Sequence, residues 1–282
     1  MSKLSASLKA LLNAPFARSG PLPAPTQAKE LFGRIARDAA GRNVGVRSWL
    51  AISTATTFSL NSPDSLPLLH QVASSPDALG DGVAAAEFMR EVGLKCISFN
   101  GIPRTINCLN AFHASLPADI TSKLATAPTR EPTPENVQDI LARGRGLWDS
   151  VYRPFENKLY DKLALAHPDL PMFILSYNYA GLLSDPPQRG QLASVGRIYT
   201  SLVAISCLRA QTGVGPQVLS HVFGLRKGVE DGSWRADKDG ESEETLRWLA
   251  SDEGGEWILT TVDSIVQTMG GSNFAPGRES KL

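Results

Sequence analysis

Cysteine is scarce in this 282-residue chain: there are three, Cys96, Cys108 and Cys207, with no CxxC pair among them. An odd, sparse set in apolar surroundings ("LKCISF", "AISCLRA") argues against a disulfide framework and points to buried thiols in a reducing interior. The four histidines, His70, His113, His167 and His221, are scattered without metal-ligand spacing, so no metal site is expected. An excess of one charge is missing as well, since Lys plus Arg and Asp plus Glu each number 28. A balanced chain gives no basic face of the kind nucleic acid requires, and no nucleic-acid partner is expected. No apolar run approaches the roughly 18–20 residues of a membrane-spanning helix, so a soluble chain without a membrane span is expected. Sustained period-two alternation is absent too, which leaves no signal for a sheet.

What is present is helical periodicity, and the expected fold class is all-α. "VRSWLAISTATTFSL" reads as one helix, broken at "NSP", with Ser62-Pro63 as cap and first position of the next, "DSLPLLHQVASS". "GDGVAAAEFMREVGLKCISF" places Phe88, Val92, Cys96 and Phe99 on one stripe, with Glu91 and Lys95 four apart on a neighbouring face. "NGIP" is a turn, and Pro103 suits the first turn of "RTINCLNAFHASL", which would present Ile106, Leu109, His113 and Leu116. "TAPTREPTPEN" reads as a linker over the surface between two halves, about 29–118 and 135–269, of a single domain 29–269. "EDGSWRADKDGESEETLRW" mixes both charge signs and reads as a solvated insertion with a short helix.

Both ends carry addresses. Ser280-Lys281-Leu282 is a peroxisomal targeting tripeptide on a polar, Gly- and Pro-containing tail (270–282), and implies the import receptor as a partner. Residues 1–28 carry Lys3, Lys9 and Arg18, with no acid before Glu30, and place Leu4, Leu8, Leu11 and Leu12 on one helical face. That is the composition of a mitochondrial presequence. The ordinary alternative is an amphipathic helix docked on the body and followed by the linker "PLPAP".

The stretch "GVGPQVLSHVFGLRKG" (213–228) has the markings of a site. Pro216 starts a helix, and Gly228 is expected to end it as a left-handed residue after Arg226 and Lys227. Gln217, His221, Gly224 and Gly228 form one stripe. Gly224 costs on the order of 1 kcal/mol in mid-helix, which makes sense where a backbone approaches closely or a small pocket opens. An imidazole there could move protons, or could make a single buried hydrogen bond and no more.

"EFMREVGLKCISFNGIPRTINCLNAFHASL" and "SLVAISCLRAQTGVGPQVLSHVFGLRKG" together resemble the carboxymuconolactone decarboxylase and alkylhydroperoxidase D-like (AhpD-like) superfamily, in particular a fungal branch, over about 49–269. The resemblance implies a helical bundle of two related halves and a homo-oligomer. Its peroxidase members place a CxxC dithiol seven and four residues before the His; here those positions are Val214 and Gln217. The Glu of their proton relay is also missing, the chain reading Tyr199-Thr200-Ser201-Leu202 there. Thiol peroxidase chemistry is therefore not expected. The decarboxylase members imply cofactor-free chemistry through a His in a pocket with basic groups. His221 and Gln217 are the catalytic candidates, and Asn107, Lys95, Arg104 and Arg197 the substrate-binding ones, for a small organic acid or acyl compound. The competing expectation is a non-catalytic helical scaffold that keeps the fold.

Overall fold

Twelve consecutive residues, Ser48 to Ser59, are buried on one helix, although six of them are Ser or Thr. Three of these hydroxyls find partners within the same helix: Thr56, Thr57 and Ser59 donate to the carbonyls of Ile52, Ser53 and Ala55, each at 2.8 Å. Back-bonding of this kind lets small polar side chains sit in a core without water. This helix, α3 (Val46–Ser59), lies at the centre of the computed structural model, which describes residues 4–17, 20–237 and 240–271.

Every regular element among the described residues is helical. Before α3 come α1 (Ala6–Leu12) and α2 (Ala28–Gly41). After it the first half continues with α4 (Ser65–Ala73), α5 (Gly82–Lys95), α6 (Ile97–Asn100), α7 (Ile102–Ser115) and α8 (Ala118–Thr121). The second half has α9 (Val137–Tyr152), α10 (Glu156–Ala166), α11 (Asp169–Phe173) and a π-helix (Ile174–Leu183). Then follow α12 (Arg197–Gln211), α13 (Gly215–Glu230), α14 (Glu243–Leu249) and α15 (Asp252–Thr268). Ser280, Lys281 and Leu282, expected as a targeting tripeptide, lie outside the described residues.

One apolar core runs through both halves, from Ala28 to Met269. A smaller cluster of Trp148, Val151, Tyr179 and Leu183 joins α9 to the π-helix. There Gly144 packs so closely on Ala180 that a Cβ would run into its backbone.

The two most buried helices, α3 and α12, pack side by side and run parallel. The acidic segment around 237–241, expected to be solvated, caps both of their N-termini. Glu241 accepts from the Gly45 N–H (3.1 Å) and the Ser48 hydroxyl (2.6 Å). Asp237 accepts from the N–H groups of Arg197 (2.8 Å) and Ile198 (3.3 Å). Both carboxylates come so close to the backbone that a side chain at Gly45 or Gly196 would collide with them. At the other end Asn100 joins the pair, its Oδ1 accepting from Ser59 Oγ and Gln211 Nε2, each at 3.1 Å. Capping carboxylates satisfy N–H groups that a helix leaves unpaired, and they complement its dipole.

Other expectations need correction. In α7, which packs against α5, the buried face is Thr105, Cys108 and Phe112, while Ile106 is half-exposed on the side turned away from the core. Gly228 lies inside α13; the left-handed residue beyond that helix is Gly232 (φ 73°). Regular helix α4 starts at Ser65, after a turn in which the Ser62 and Ser65 hydroxyls bond at 2.9 Å. α1 forms, but none of its residues is buried, so it is not docked on the body.

Removing either distant cap tests this arrangement. Asp237→Ala and Glu241→Ala should each lower stability by about 1 kcal/mol, read as a lower urea midpoint at unchanged slope.

Candidate functional site

Pro216 starts α13 as expected, and the helix carries His221, Gly224 and Gly228 inward. The imidazole is buried, 8% exposed, edge-on to Phe99 (6.1 Å between centroids) and Tyr152 (6.2 Å). Neither ring nitrogen has a hydrogen-bond partner among the described residues. Burial, and then the charge of Arg197, lowers its pKa from 6.5 to about 4, which leaves it neutral near pH 7. The space beside it is about 10 Å³, bounded by Phe99, Val151, Tyr179, Arg197 and Thr200. That holds at most one water molecule.

The glycines of the stripe serve packing and not a pocket. A Cβ at Gly224 would lie 2.9 Å from Val151 Cγ1 of α9, and one at Gly228 would lie 3.2 Å from Arg197 Cζ. Their absence lets α9 and the Arg197 side chain lie against α13. The guanidinium of Arg197, 7% exposed, spends its donors on neutral groups. Nε donates to Ser150 Oγ (2.7 Å), Nη1 to Ser201 Oγ (2.6 Å), and Nη2 to Ser150 O (3.1 Å) and Gly224 O (2.6 Å). Arg197 therefore fastens α9, α12 and α13 together.

Lys95 is fully buried, in contrast to the usual position of lysine. Its ammonium contacts Leu183 O (2.6 Å), Val195 O (2.6 Å), Thr200 Oγ1 (3.0 Å) and Asp185 Oδ1 (2.7 Å). Four acceptors surround three protons. Burial alone would raise the Asp185 carboxyl, but Lys95, then Arg189 and Arg130, hold it below the ordinary aspartate value. The network extends further: Arg130 bridges Asp185 (3.5 Å) and Glu91, and Arg189 pairs with Glu91 at 2.5 Å. Glu91 and Lys95 were expected as an i,i+4 pair; each instead pairs with groups from beyond residue 129.

The remaining candidates stand apart. Gln217 is exposed at the start of α13. Asn107 is also exposed, and donates to Asn61 Oδ1 at 3.3 Å. Arg104 is half-buried and donates to the carbonyl of Ser59 at the end of α3. Arg197 and His221 are thus brought together, Lys95 is tied to them through Thr200, and Gln217, Asn107 and Arg104 are not part of that cluster.

Sequence reasoning missed Arg130, Asp185 and Arg189. The signal for them was slight: charged residues inside Pro-rich stretches ("PTREP", "SDPPQRG"), where solvated loops are the default. The three thiols are buried as expected. Cys96 and Cys207, from different halves, lie 3.6 Å apart, and burial raises Cys96 well above its ordinary value and Cys108 to about 12. Protonated thiols of this kind are poor nucleophiles toward peroxide. No group of three or more metal-ligating side chains is present among the described residues. Larger clefts of about 520 and 680 Å³ are also present. The first is lined by Asp185, Arg189, Arg197 and Thr200, so it shares Arg197 and Thr200 with the His221 space without including His221; the second lies between α5, α7 and residues 128–131.

A scan against protein families, a search of curated proteins and a search of solved structures each return no match.

The neutral imidazole predicts an acid limb in stability. An unfolded histidine binds its proton near pH 6.5 and the folded His221 only near pH 4, so between these values the unfolded chain holds more protons. Stability should fall by about 3 kcal/mol as the pH drops through that window, and His221→Leu should remove that part of the loss in urea titrations at pH 7, 6, 5 and 4.

Proposed function

We propose that the protein is a non-catalytic helical scaffold, a homo-oligomeric member of the AhpD-like superfamily that has kept the architecture and lost its chemistry. The observation that carries this reading is the space of about 10 Å³ at His221. A small-molecule site normally offers a few hundred Å³ and convergent polar groups with free valences. Here the nearby cations, Arg197 and Lys95, are committed to carbonyls, hydroxyls and Asp185. Half-exposed apolar side chains on α7 (Ile102, Ile106) and α13 (Leu219, Phe223) fit self-association. Ser280-Lys281-Leu282 supports delivery to the peroxisome by its import receptor, with the mitochondrion as the alternative compartment.

One observation favours the second reading, acid/base catalysis on a small organic acid or acyl compound. A neutral imidazole with no hydrogen-bond partner is the protonation state a general base requires. Thermal-shift and turnover screens of the wild type beside His221→Ala, across small carboxylic and acyl compounds, separate the two. The scaffold reading expects no compound to distinguish the proteins. A ligand-dependent rise in Tm or a turnover that the variant loses would establish the catalytic reading instead. Compartment is tested by imaging an N-terminally tagged chain, expected in peroxisomes and dispersed when the last three residues are removed.

A further inference from the structure

α1 is the one helix singled out in the sequence that the scaffold leaves unused. It is locally well formed: Ser5 accepts from the Leu8 N–H (3.2 Å), and Asn13 Nδ2 donates to Lys9 O (2.8 Å). Yet none of its residues is buried. Leu4, Leu8, Leu11 and Leu12 are between 42% and 63% exposed, and Phe16, in the 3₁₀ turn that follows, is 83% exposed. The chain rejoins the body at Leu22, whose N–H donates to Asn61 O at 2.9 Å, within a Pro-rich spacer. A helix of seven residues gains too little from its own hydrogen bonds to persist alone in water. Its three leucines, Leu8, Leu11 and Leu12, fall within about 100° of the helix circumference, Leu4 precedes the cap, and Lys9 flanks the stripe. An apolar stripe of that width requires a cover.

The charge says which cover fits. The segment carries Lys3, Lys9 and Arg18 and no acidic residue before Glu30, although the whole chain is neutral. A partner protein of mixed charge has no need of that exclusion, whereas an anionic bilayer attracts each cation and repels each carboxylate. We propose that α1 is an interfacial helix that docks this protein on anionic lipid surfaces. Its leucines and Phe16 enter the boundary between headgroups and acyl chains, and Lys9 stays at the phosphate level. The Pro-rich stretch, attached to the body at Leu22, tethers the helix to it. The docking is peripheral: no helix among the described residues is long and apolar enough to cross a membrane.

Co-sedimentation of the full chain with vesicles tests this, comparing phosphatidylcholine alone with a mixture containing phosphatidylserine. Leu11→Asp and Lys9→Gln change exposed side chains only, so both variants should keep the wild-type Tm. Binding is expected on phosphatidylserine vesicles and not on phosphatidylcholine, to be weakened about fivefold by Lys9→Gln and at least about tenfold by Leu11→Asp. Added salt should release the protein, because screening shortens the reach of the lipid charge. Absence of vesicle binding would overturn the proposal, as would equal binding by Leu11→Asp. Two further outcomes would assign the face elsewhere: self-association lost in Leu11→Asp without lipid binding means a second copy, and removal of the segment by isolated mitochondria means a presequence.

Discussion

A lysine ammonium without contact to water ties the two halves of this molecule together. Lys95 closes α5, a helix of the first half, and its Nζ lies among the last carbonyl of the π-helix, the carbonyl before α12, a hydroxyl on α12 and the carboxylate of Asp185. Taking an ammonium out of water costs several kcal/mol, and only a full set of acceptors offsets that cost. The position of residues 183–200 therefore follows from Lys95. Arg130 and Arg189 attach the proline-rich connection and the same loop to Glu91, one turn earlier on α5. Cations of this chain that could have recognised a substrate are used to join its halves.

The same economy explains the helix with His221. Its glycines admit Val151 and Arg197, and Arg197 is one wall of the small space beside the imidazole. The charge of Arg197 and the loss of water then keep the imidazole neutral. Positions 214 and 217, where the resemblance in sequence would place thiols, are Val and an exposed Gln. The chain's own thiols are elsewhere, buried in the core, and burial raises Cys96 and Cys108 above the ordinary thiol value. These features form one consistent arrangement in which the helix around His221 is closely packed.

Much of the fold was legible in the sequence because it rests on local chemistry. Phe88, Val92 and Cys96 fall at helical spacing and are buried; Pro103 and Pro216 open helices where a missing N–H costs nothing. What could not be read depends on partners distant in sequence. Asp237 and Glu241 look like solvated charges until the N-termini of α12 and α3 meet them. Glu91 and Lys95 look like a surface pair until Arg130, Arg189 and Asp185 arrive. Gly228 resembles a terminator, and only the path of Arg197 shows why it stands inside a helix. Of the site, the burial of His221 and the place of Arg197 beside it could be expected; the closure of the space between them could not.

The measurement that bears most directly on this account is a double-mutant cycle between Lys95 and Asp185, using Lys95→Met, Asp185→Leu and the pair. Each single change strands a buried charge and should cost about 3–5 kcal/mol, whereas the double change removes both and should cost less than the sum by at least about 2 kcal/mol. Additive losses, or single variants as stable as the wild type, would contradict the claim that this buried pair fastens the two halves.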